Sequence, residues 1–108
     1  VSGAVLNDRK IMASDGILVI IANINMTTKK LLGKPIITTR GFILINENEE
    51  LISKIEKESA KAINKELKKD VLNYNEIKVE LTKRIAQFIK EETGRKPIVL
   101  PIVLNIKK

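Results

Sequence analysis

An unbroken run of apolar residues, Ile17 to Ala22, constrains the fold of this chain most. It is far shorter than the roughly 20 residues needed to span a bilayer, so it predicts a buried strand in a soluble protein without a membrane segment. The turn signal Ser14-Asp15-Gly16 precedes it, and predicted strand one covers residues 16–25. Because the run is continuous rather than alternating, both faces of the strand need cover, which predicts a central position in a sheet.

The next segments predict a second strand and two helices. Gly33-Lys34-Pro35 is a breaker ahead of strand two over residues 36–45, which forms a hairpin with strand one. Apolar residues at helical spacing predict a first helix from about residue 46 to Asp70. A second helix is predicted with Asn75 as its N-cap and Gly94 as its stop, so that the helices form an antiparallel hairpin.

The closing segment, Pro97 to Ile106, alternates apolar side chains and predicts strand three. Pro101 has no backbone N–H to donate, which predicts either an edge position or a bulge for this strand. The predicted fold is α+β: a three-stranded mixed β-sheet of strand order 2-1-3, with two α-helices packed on one face, in the order ββααβ. The 108 residues suit one hydrophobic core. We therefore expect a single domain over residues 1–108, cut from a longer protein, with residues 1–15 as a lead-in or linker.

The predicted sheet has an apolar face that two helices cannot cover. Helices on one side leave the other face of strand one exposed, and such a patch usually marks an interaction surface. We expect a second copy of the chain, or a neighbouring domain of the parent protein, to cover it. The interface candidates are Leu18, Ile20, Val99 and Val103, although the sequence leaves open which face turns outward. The alternative is a lid formed by apolar residues of the lead-in, namely Val5, Leu6, Ile11 and Met12.

The charge of the chain allows an anionic partner. Lys and Arg number 20 against 13 Asp and Glu, a net charge of +7. Residues 47–96 are nearly balanced, with twelve basic and eleven acidic residues, so the predicted helices carry little of the excess. The RNA-contact candidates are Lys29, Lys30, Lys34 and Arg40. The alternative is an ordinary solvated surface, in which Arg40 pairs with Asp8 or Asp15.

The residues that catalysis requires are missing from the sequence. The chain has no histidine and no cysteine, which excludes disulfides, Cys/His zinc sites and the serine and cysteine triads. Absence of cysteine is compatible with the cytoplasmic location that we expect. A glycine-rich phosphate loop and a G-x-x-G loop are both absent, and Phe42 is the only aromatic residue expected on the sheet. We therefore predict no catalytic residue, no metal and no cofactor in this chain.

Four segments carry a family resemblance. They are residues 8–17 (DRKIMASDGI), residues 33–42 (GKPIITTRGF), the Asn-capped helix pair, and residues 95–103 (RKPIVLPIV). The Arg-Gly-Phe strand and the closing Pro-x-x-x-Pro strand are the most specific parts. In this order and spacing the segments resemble the carboxy-terminal domain of bacterial ribonuclease J, an RNA-processing and RNA-decay enzyme of the metallo-β-lactamase superfamily.

The resemblance implies a function for the parent protein rather than for this chain alone. In that family a zinc-dependent ribonuclease, with 5′-to-3′ exonuclease and endonuclease activity, is built from β-lactamase and β-CASP domains upstream of this segment. None of their metal ligands can be carried over to residues of this chain. The resemblance implies a non-catalytic domain that supports dimerisation or higher assembly and full nuclease activity, and reaches RNA through its parent. The alternative is a small basic module that binds phosphates of single-stranded RNA.

Overall fold

The computed structural model describes residues 16–41 and 49–106 of the chain. In chain order the elements are β1 (Ile17–Asn25), β2 (Lys30–Arg40), α1 (Glu49–Leu67), α2 (Tyr74–Thr93) and β3 (Ile98–Asn105). The central strand β1 pairs antiparallel with β2 and parallel with β3. The predicted α+β fold, its ββααβ order and the strand order 2-1-3 are confirmed.

The hydrophobic core lies between one face of the sheet and the two helices. Alternate residues of β1 form its centre and have no exposed surface: Leu18, Ile20, Ala22 and Ile24. The helices cover them with apolar residues at helical spacing: Leu51, Ile55, Ala62, Ile63 and Leu67 of α1, and Ile77, Leu81, Ile85 and Ile89 of α2. Burying each large aliphatic side chain contributes about 1.5–3 kcal/mol, so this single layer holds the domain together.

A tight turn joins β1 to β2. The Asn25 side-chain oxygen Oδ1 accepts hydrogen bonds from the backbone N–H of Thr27 (2.9 Å) and of Thr28 (3.0 Å). Lys29 has a left-handed backbone conformation, with φ at 58°. Asn side chains favour such turns because they replace a missing backbone acceptor. The turn reverses the direction of the chain within a few residues, so β2 begins at Lys30.

The predicted start of strand two at Ile36 was therefore wrong, because Gly33-Lys34-Pro35 lies within β2. The ladder with β1 shifts register between Ile21 and Asn23, opposite these three residues, and Gly33 has φ at 74°. An edge strand with an irregularity accommodates both glycine and proline. The breaker thus distorts the strand without ending it. The rest of predicted strand two, residues 42–45, lies outside the described residues.

The edge position predicted for strand three is confirmed. The Ile98 N–H donates to the carbonyl oxygen of Gly16 (2.9 Å), and the Ile106 N–H donates to that of Ile24 (2.7 Å). Because backbone N–H groups alternate in direction along a strand, the even-numbered residues of β3 donate toward β1. The nitrogen of Pro101 then points to the open edge, where the sheet loses no hydrogen bond.

The helix boundaries differ slightly from prediction. α1 ends at Leu67, before the predicted end at Asp70, and its predicted start at residues 46–48 lies outside the described residues. Gly94 ends α2 as predicted, with φ at 74° and its N–H donated to the Lys90 carbonyl (2.8 Å). The predicted N-cap, Asn75, was wrong and lies inside the first turn of α2. The cap is Asn73, whose side-chain oxygen accepts a hydrogen bond from the Glu76 N–H (3.0 Å).

This capping assignment predicts different effects for two neighbouring asparagines. Asn73→Ala removes the acceptor at the helix start and should lower the free energy of unfolding by about 1 kcal/mol. Asn75→Ala, the control, keeps the cap and should leave the free energy of unfolding within about 0.5 kcal/mol of wild type. Urea denaturation of both variants measures the difference. A larger loss for Asn75→Ala would contradict the assignment.

Candidate interaction face of the sheet

The face of the sheet that turns away from the helices consists mainly of large apolar side chains. Residues of β1 between the buried positions point to this face, and strand pairing aligns residues of β2 and β3 with them. We call this set of twelve residues the open sheet face. It comprises Ile17, Val19, Ile21 and Asn23 of β1; Leu32, Ile36, Thr38 and Arg40 of β2; and Ile98, Leu100, Ile102 and Leu104 of β3.

The open sheet face concentrates the exposed apolar surface of the described residues. Five of the eight large apolar residues classed as exposed there belong to it: Leu32 (36%), Ile36 (52%), Leu100 (44%), Ile102 (42%) and Leu104 (45%). The β1 residues between them are half-buried by the two flanking strands. Scattered apolar residues are normal on protein surfaces, whereas a contiguous apolar patch is typical of an interaction site.

The open sheet face has an apolar centre and polar ends. Strand pairing places Ile21 in one row between Ile36 and Ile102. At one end Arg40 shares a row with one isoleucine of β1 and one of β3, and at the other end Asn23 shares a row with two leucines. A partner must therefore match an apolar centre with one polar residue in the central strand.

The structure corrects the face on which the interface was predicted. Leu18 and Ile20 have no exposed surface, Val103 is 1% exposed and Val99 is 8% exposed, because all four pack in the core beneath the helices. They are therefore not available to a partner. The residues that sequence analysis missed are their neighbours in the chain, whose side chains alternate onto the open sheet face. The interface hypothesis therefore applies to those neighbours instead.

One RNA-contact candidate is engaged within the domain. Lys29 lies in the β1–β2 turn, and its Nζ donates hydrogen bonds to the carbonyl oxygens of Lys69 (3.0 Å) and Asp70 (3.2 Å). These carbonyls follow the C-terminal end of α1, where a cation interacts favourably with the helix dipole. Lys29 therefore ties the hairpin turn to the helix layer.

The other three candidates do not form a cluster. Lys30 and Arg40 lie at opposite ends of β2, which corresponds to roughly 30 Å along a strand of this length. Lys34 lines a cavity of about 160 Å³ together with Ser53, Glu56 and other residues of α1, on the helix side. The described strands nevertheless contain no acidic residue, so their charged side chains are all basic. Asp8 and Asp15, the predicted partners of Arg40, lie outside the described residues.

The helix layer carries acidic and basic residues that pair with one another. Lys54 Nζ lies 3.1 Å from Glu92 Oε1 and joins the start of α1 to the end of α2. The hydrogen bond and charge of Glu92 raise the pKa of Lys54, and the hydrogen bond to Glu66 (2.9 Å) raises the pKa of Lys69. Both carboxylates thus favour the charged form of their lysine partner.

Within residues 16–41 and 49–106, the structure provides neither a metal site nor a membrane helix. No three His, Cys, Asp or Glu side chains lie close enough together there to hold a metal ion. Neither α1 nor α2 combines the length and apolar character that crossing a membrane requires. Two grooves of about 480 and 570 Å³ lie beside the helices and are lined mostly by paired charged side chains and α2 surface residues. The open sheet face is the candidate site that remains.

Comparison with known proteins gives one consistent family. Residues 4–106 match the model of the ribonuclease J C-terminal domain. The chain is 30% identical over 111 residues to a Streptococcus pyogenes protein named Ribonuclease J 2, covering 99% of the chain and 19% of that protein. Proteins of the same name from Staphylococcus epidermidis and Staphylococcus aureus are 29% and 27% identical over 106 residues, covering 98% of the chain and 19% of each protein. The chain thus spans about a fifth of the length of these curated relatives.

Proposed function

Because the chain belongs to the ribonuclease J C-terminal domain family, we propose that it is the non-catalytic assembly domain of an RNA-processing and RNA-decay nuclease. The open sheet face carries this proposal, because an apolar surface of this kind needs a partner. The two helices cover one face of the sheet and stabilise the fold, and the other face of the sheet contacts the partner. The partner that we propose is a second copy of the domain, joined face to face.

The nuclease chemistry of the parent belongs, in this proposal, to the part of the protein outside this chain. The relatives named Ribonuclease J 2 contain about four fifths of their length beyond the matched region. The described residues lack a ligand cluster that could hold zinc, so no step of hydrolysis is assigned to them. The domain instead holds two copies of the parent together in the cytoplasm, where each copy acts on RNA through its own catalytic domains.

The size of the open sheet face sets the expected strength of self-association. Three strands about 4.8 Å apart, each with eight residues rising about 3.3 Å, give a footprint on the order of 400 Å² per copy. A standard stable interface buries about 800 Å² per partner. The isolated domain should therefore exchange between monomer and dimer as its concentration changes, and other parts of the parent would strengthen the assembly.

The proposal predicts that a charge on the open sheet face weakens the dimer, whereas the same charge on the helix surface does not. Ile36→Lys places an ammonium group in the apolar centre of the contact, where it would lose water without gaining a partner. Its dimer dissociation constant should rise by at least about tenfold, corresponding to about 1.4 kcal/mol. Sedimentation equilibrium measures the constant.

The matched control is Val79→Lys on α2. Val79 and Ile36 are both 52% exposed, so the two substitutions remove similar apolar exposure and add the same charge. Val79→Lys should dimerise as wild type does. Equal weakening by both variants would indicate a general charge effect, and would contradict assembly through the open sheet face.

A second candidate function, direct binding of single-stranded RNA, is favoured by one observation. The charged residues of the strands are all basic, including the exposed Lys30 and Arg40. If these side chains bind phosphates, RNA affinity should fall steeply with added salt, because bound counterions are released. A double Lys30→Ala, Arg40→Ala variant should then show a smaller salt slope. An unchanged slope, or no binding at low salt, would exclude this candidate.

A further inference from the structure

The open sheet face can meet a second copy of itself in two aligned ways. Two packed sheets usually keep their strands within about 30° of each other. A twofold axis between them then runs either along the strands or across them. With the axis along the strands, β2 packs over β3 of the partner, and β1 packs over β1. With the axis across the strands, each strand packs antiparallel over its own copy.

We propose that the twofold axis runs along the strands, so that β2 of each copy packs over β3 of the other. This inference rests on the proposed self-association and specifies its geometry. Two features support it: the positions of the two cations at the ends of β2, and the position of Asn23 on the open sheet face. The apolar residues of the outer strands are compatible with it.

The two cations at the ends of β2 oppose the other arrangement. Arg40 belongs to the open sheet face, and Lys30 lies on the same side one row beyond it, because Lys30 pairs with Asn25 and alternates with Leu32. The three strands contain no acidic residue. An axis across the strands, through the row of Ile21, would place Arg40 over Lys30 of the partner. The twofold symmetry would repeat this contact, so that two such pairs of like charges form. Like charges facing each other across an interface suppress that arrangement. An axis along the strands places both cations over β3, which carries no charge.

Asn23 favours the same choice. It is the one polar residue that β1 contributes to the open sheet face. With the axis along the strands, Asn23 faces Asn23 of the partner, and each amide can donate to and accept from the other. With the axis across the strands, it faces Val19, which offers no side-chain hydrogen bond. A buried polar group without a partner opposes association.

The apolar residues of the outer strands also match in the proposed arrangement. Ile36 and Ile102 pair with the same β1 residue, Ile21, and therefore lie in one row. Leu32 and Leu104 share the row of Asn23. When β2 packs over β3 of the partner, isoleucine meets isoleucine in the first row and leucine meets leucine in the second. With the axis across the strands, Ile36 and Ile102 each face their own copies and Leu32 faces Thr38, whereas the proposed axis places Thr38 over Leu100. The apolar rows are therefore compatible with both arrangements, and the cations and Asn23 distinguish them.

Cross-linking between single cysteines distinguishes the two arrangements. The natural chain contains no cysteine, so introduced thiols are the only reactive ones. Ile36→Cys and Ile102→Cys change partly exposed positions to a small apolar residue, and Val79→Cys on α2 is the control outside the contact. Each variant is treated with a short bis-maleimide, alone and in equimolar mixtures, after its solution mass has been measured by light scattering.

The proposed geometry predicts severalfold more cross-linked dimer in the mixture of Ile36→Cys with Ile102→Cys than in either variant alone. Mixtures containing Val79→Cys should stay at the level of the single variants. Efficient cross-linking of Ile36→Cys with itself would overturn the inference, as would a dimer by mass that none of the mixtures cross-links. A monomer by mass for the wild-type chain would instead contradict the proposed function, which separates the two failures.

Discussion

Ile20→Asp should unfold the domain. Ile20 lies at the centre of β1 with no exposed surface, packed beneath both helices. Aspartate there removes a buried aliphatic side chain, which costs about 2–5 kcal/mol, and leaves a carboxylate without a partner, which costs several kcal/mol more. Small domains have a total stability of about 5–15 kcal/mol, so the folded state would no longer dominate. Circular dichroism and thermal unfolding measure the loss.

The neighbouring position supplies the control for this experiment. Ile21 follows Ile20 in β1 but points to the open sheet face, where it is half-buried. Ile21→Asp should keep the circular dichroism spectrum of the wild-type chain and show cooperative unfolding. A folded Ile20→Asp variant would contradict the assignment of this face to the core.

Ile21→Asp should nevertheless abolish most of the self-association. Ile21 lies in the central strand, in one row with Ile36 and Ile102, and next to the proposed twofold axis. One substitution therefore introduces two carboxylates that face each other across the dimer. Each also loses water against the apolar side chains of the partner. The dissociation constant of the dimer should rise by at least about 100-fold, which corresponds to about 2.7 kcal/mol.

A neutral variant separates charge from strand preference at this position. Asparagine has nearly the shape of aspartate but no charge, so Ile21→Asn should weaken the dimer less than Ile21→Asp does. Sedimentation equilibrium near neutral pH compares both with the wild-type chain. If both variants dimerise as the wild-type chain does, the central row is not part of the contact and the open sheet face is not the interface.

The sequence was sufficient to predict the architecture because its strongest signals are local. The continuous apolar run of β1 predicts a central strand, and Pro101 predicts an edge strand. Gly94 marks a helix end because it adopts the left-handed conformation that helix termini favour, and it does so here. Each of these three signals rests on the chemistry of one segment, and the tertiary contacts of the folded domain agree with it.

The choice of face could not be predicted from β1 alone, because both of its faces are apolar. Leu18 and Ile20 are as suitable for an interface as Val19 and Ile21 until the helices are placed. The distinguishing feature is the strand register, which the sequence patterns did not predict: Arg40 pairs with Ile17, which places a cation on the same face as the odd-numbered residues of β1. A charged residue belongs on the face that the helices do not cover.

The start of β2 was missed for a different physical reason. Gly33 and Pro35 disfavour a regular strand, so the sequence predicted that the strand starts after them, at Ile36. In the folded domain the strand begins before them, directly after the Asn25 turn. It is held there by the pairing of Leu31 with Ile24 and of Leu32 with Asn23. Tertiary pairing outweighs a local breaker at an edge, where an irregular ladder costs little.

The dispersal of the basic residues explains why net charge alone was a poor guide to a site. Lys29 binds the end of α1, Lys34 lies against α1, and Lys30 and Arg40 are far apart on β2. A sequence count cannot distinguish such a distribution from a cluster. The apolar surface, in contrast, is contiguous, because strand pairing brings residues distant in sequence into adjacent rows.

The most direct test of assembly through the open sheet face is the solution mass of the wild-type chain, measured by light scattering over a wide concentration range. The mass should rise with concentration from 12.1 kDa toward twice that value, and it should stay lower in the Ile21→Asp variant. A mass of 12.1 kDa at every concentration up to about 1 mM, where even a weak dimer forms, would contradict assembly through this face.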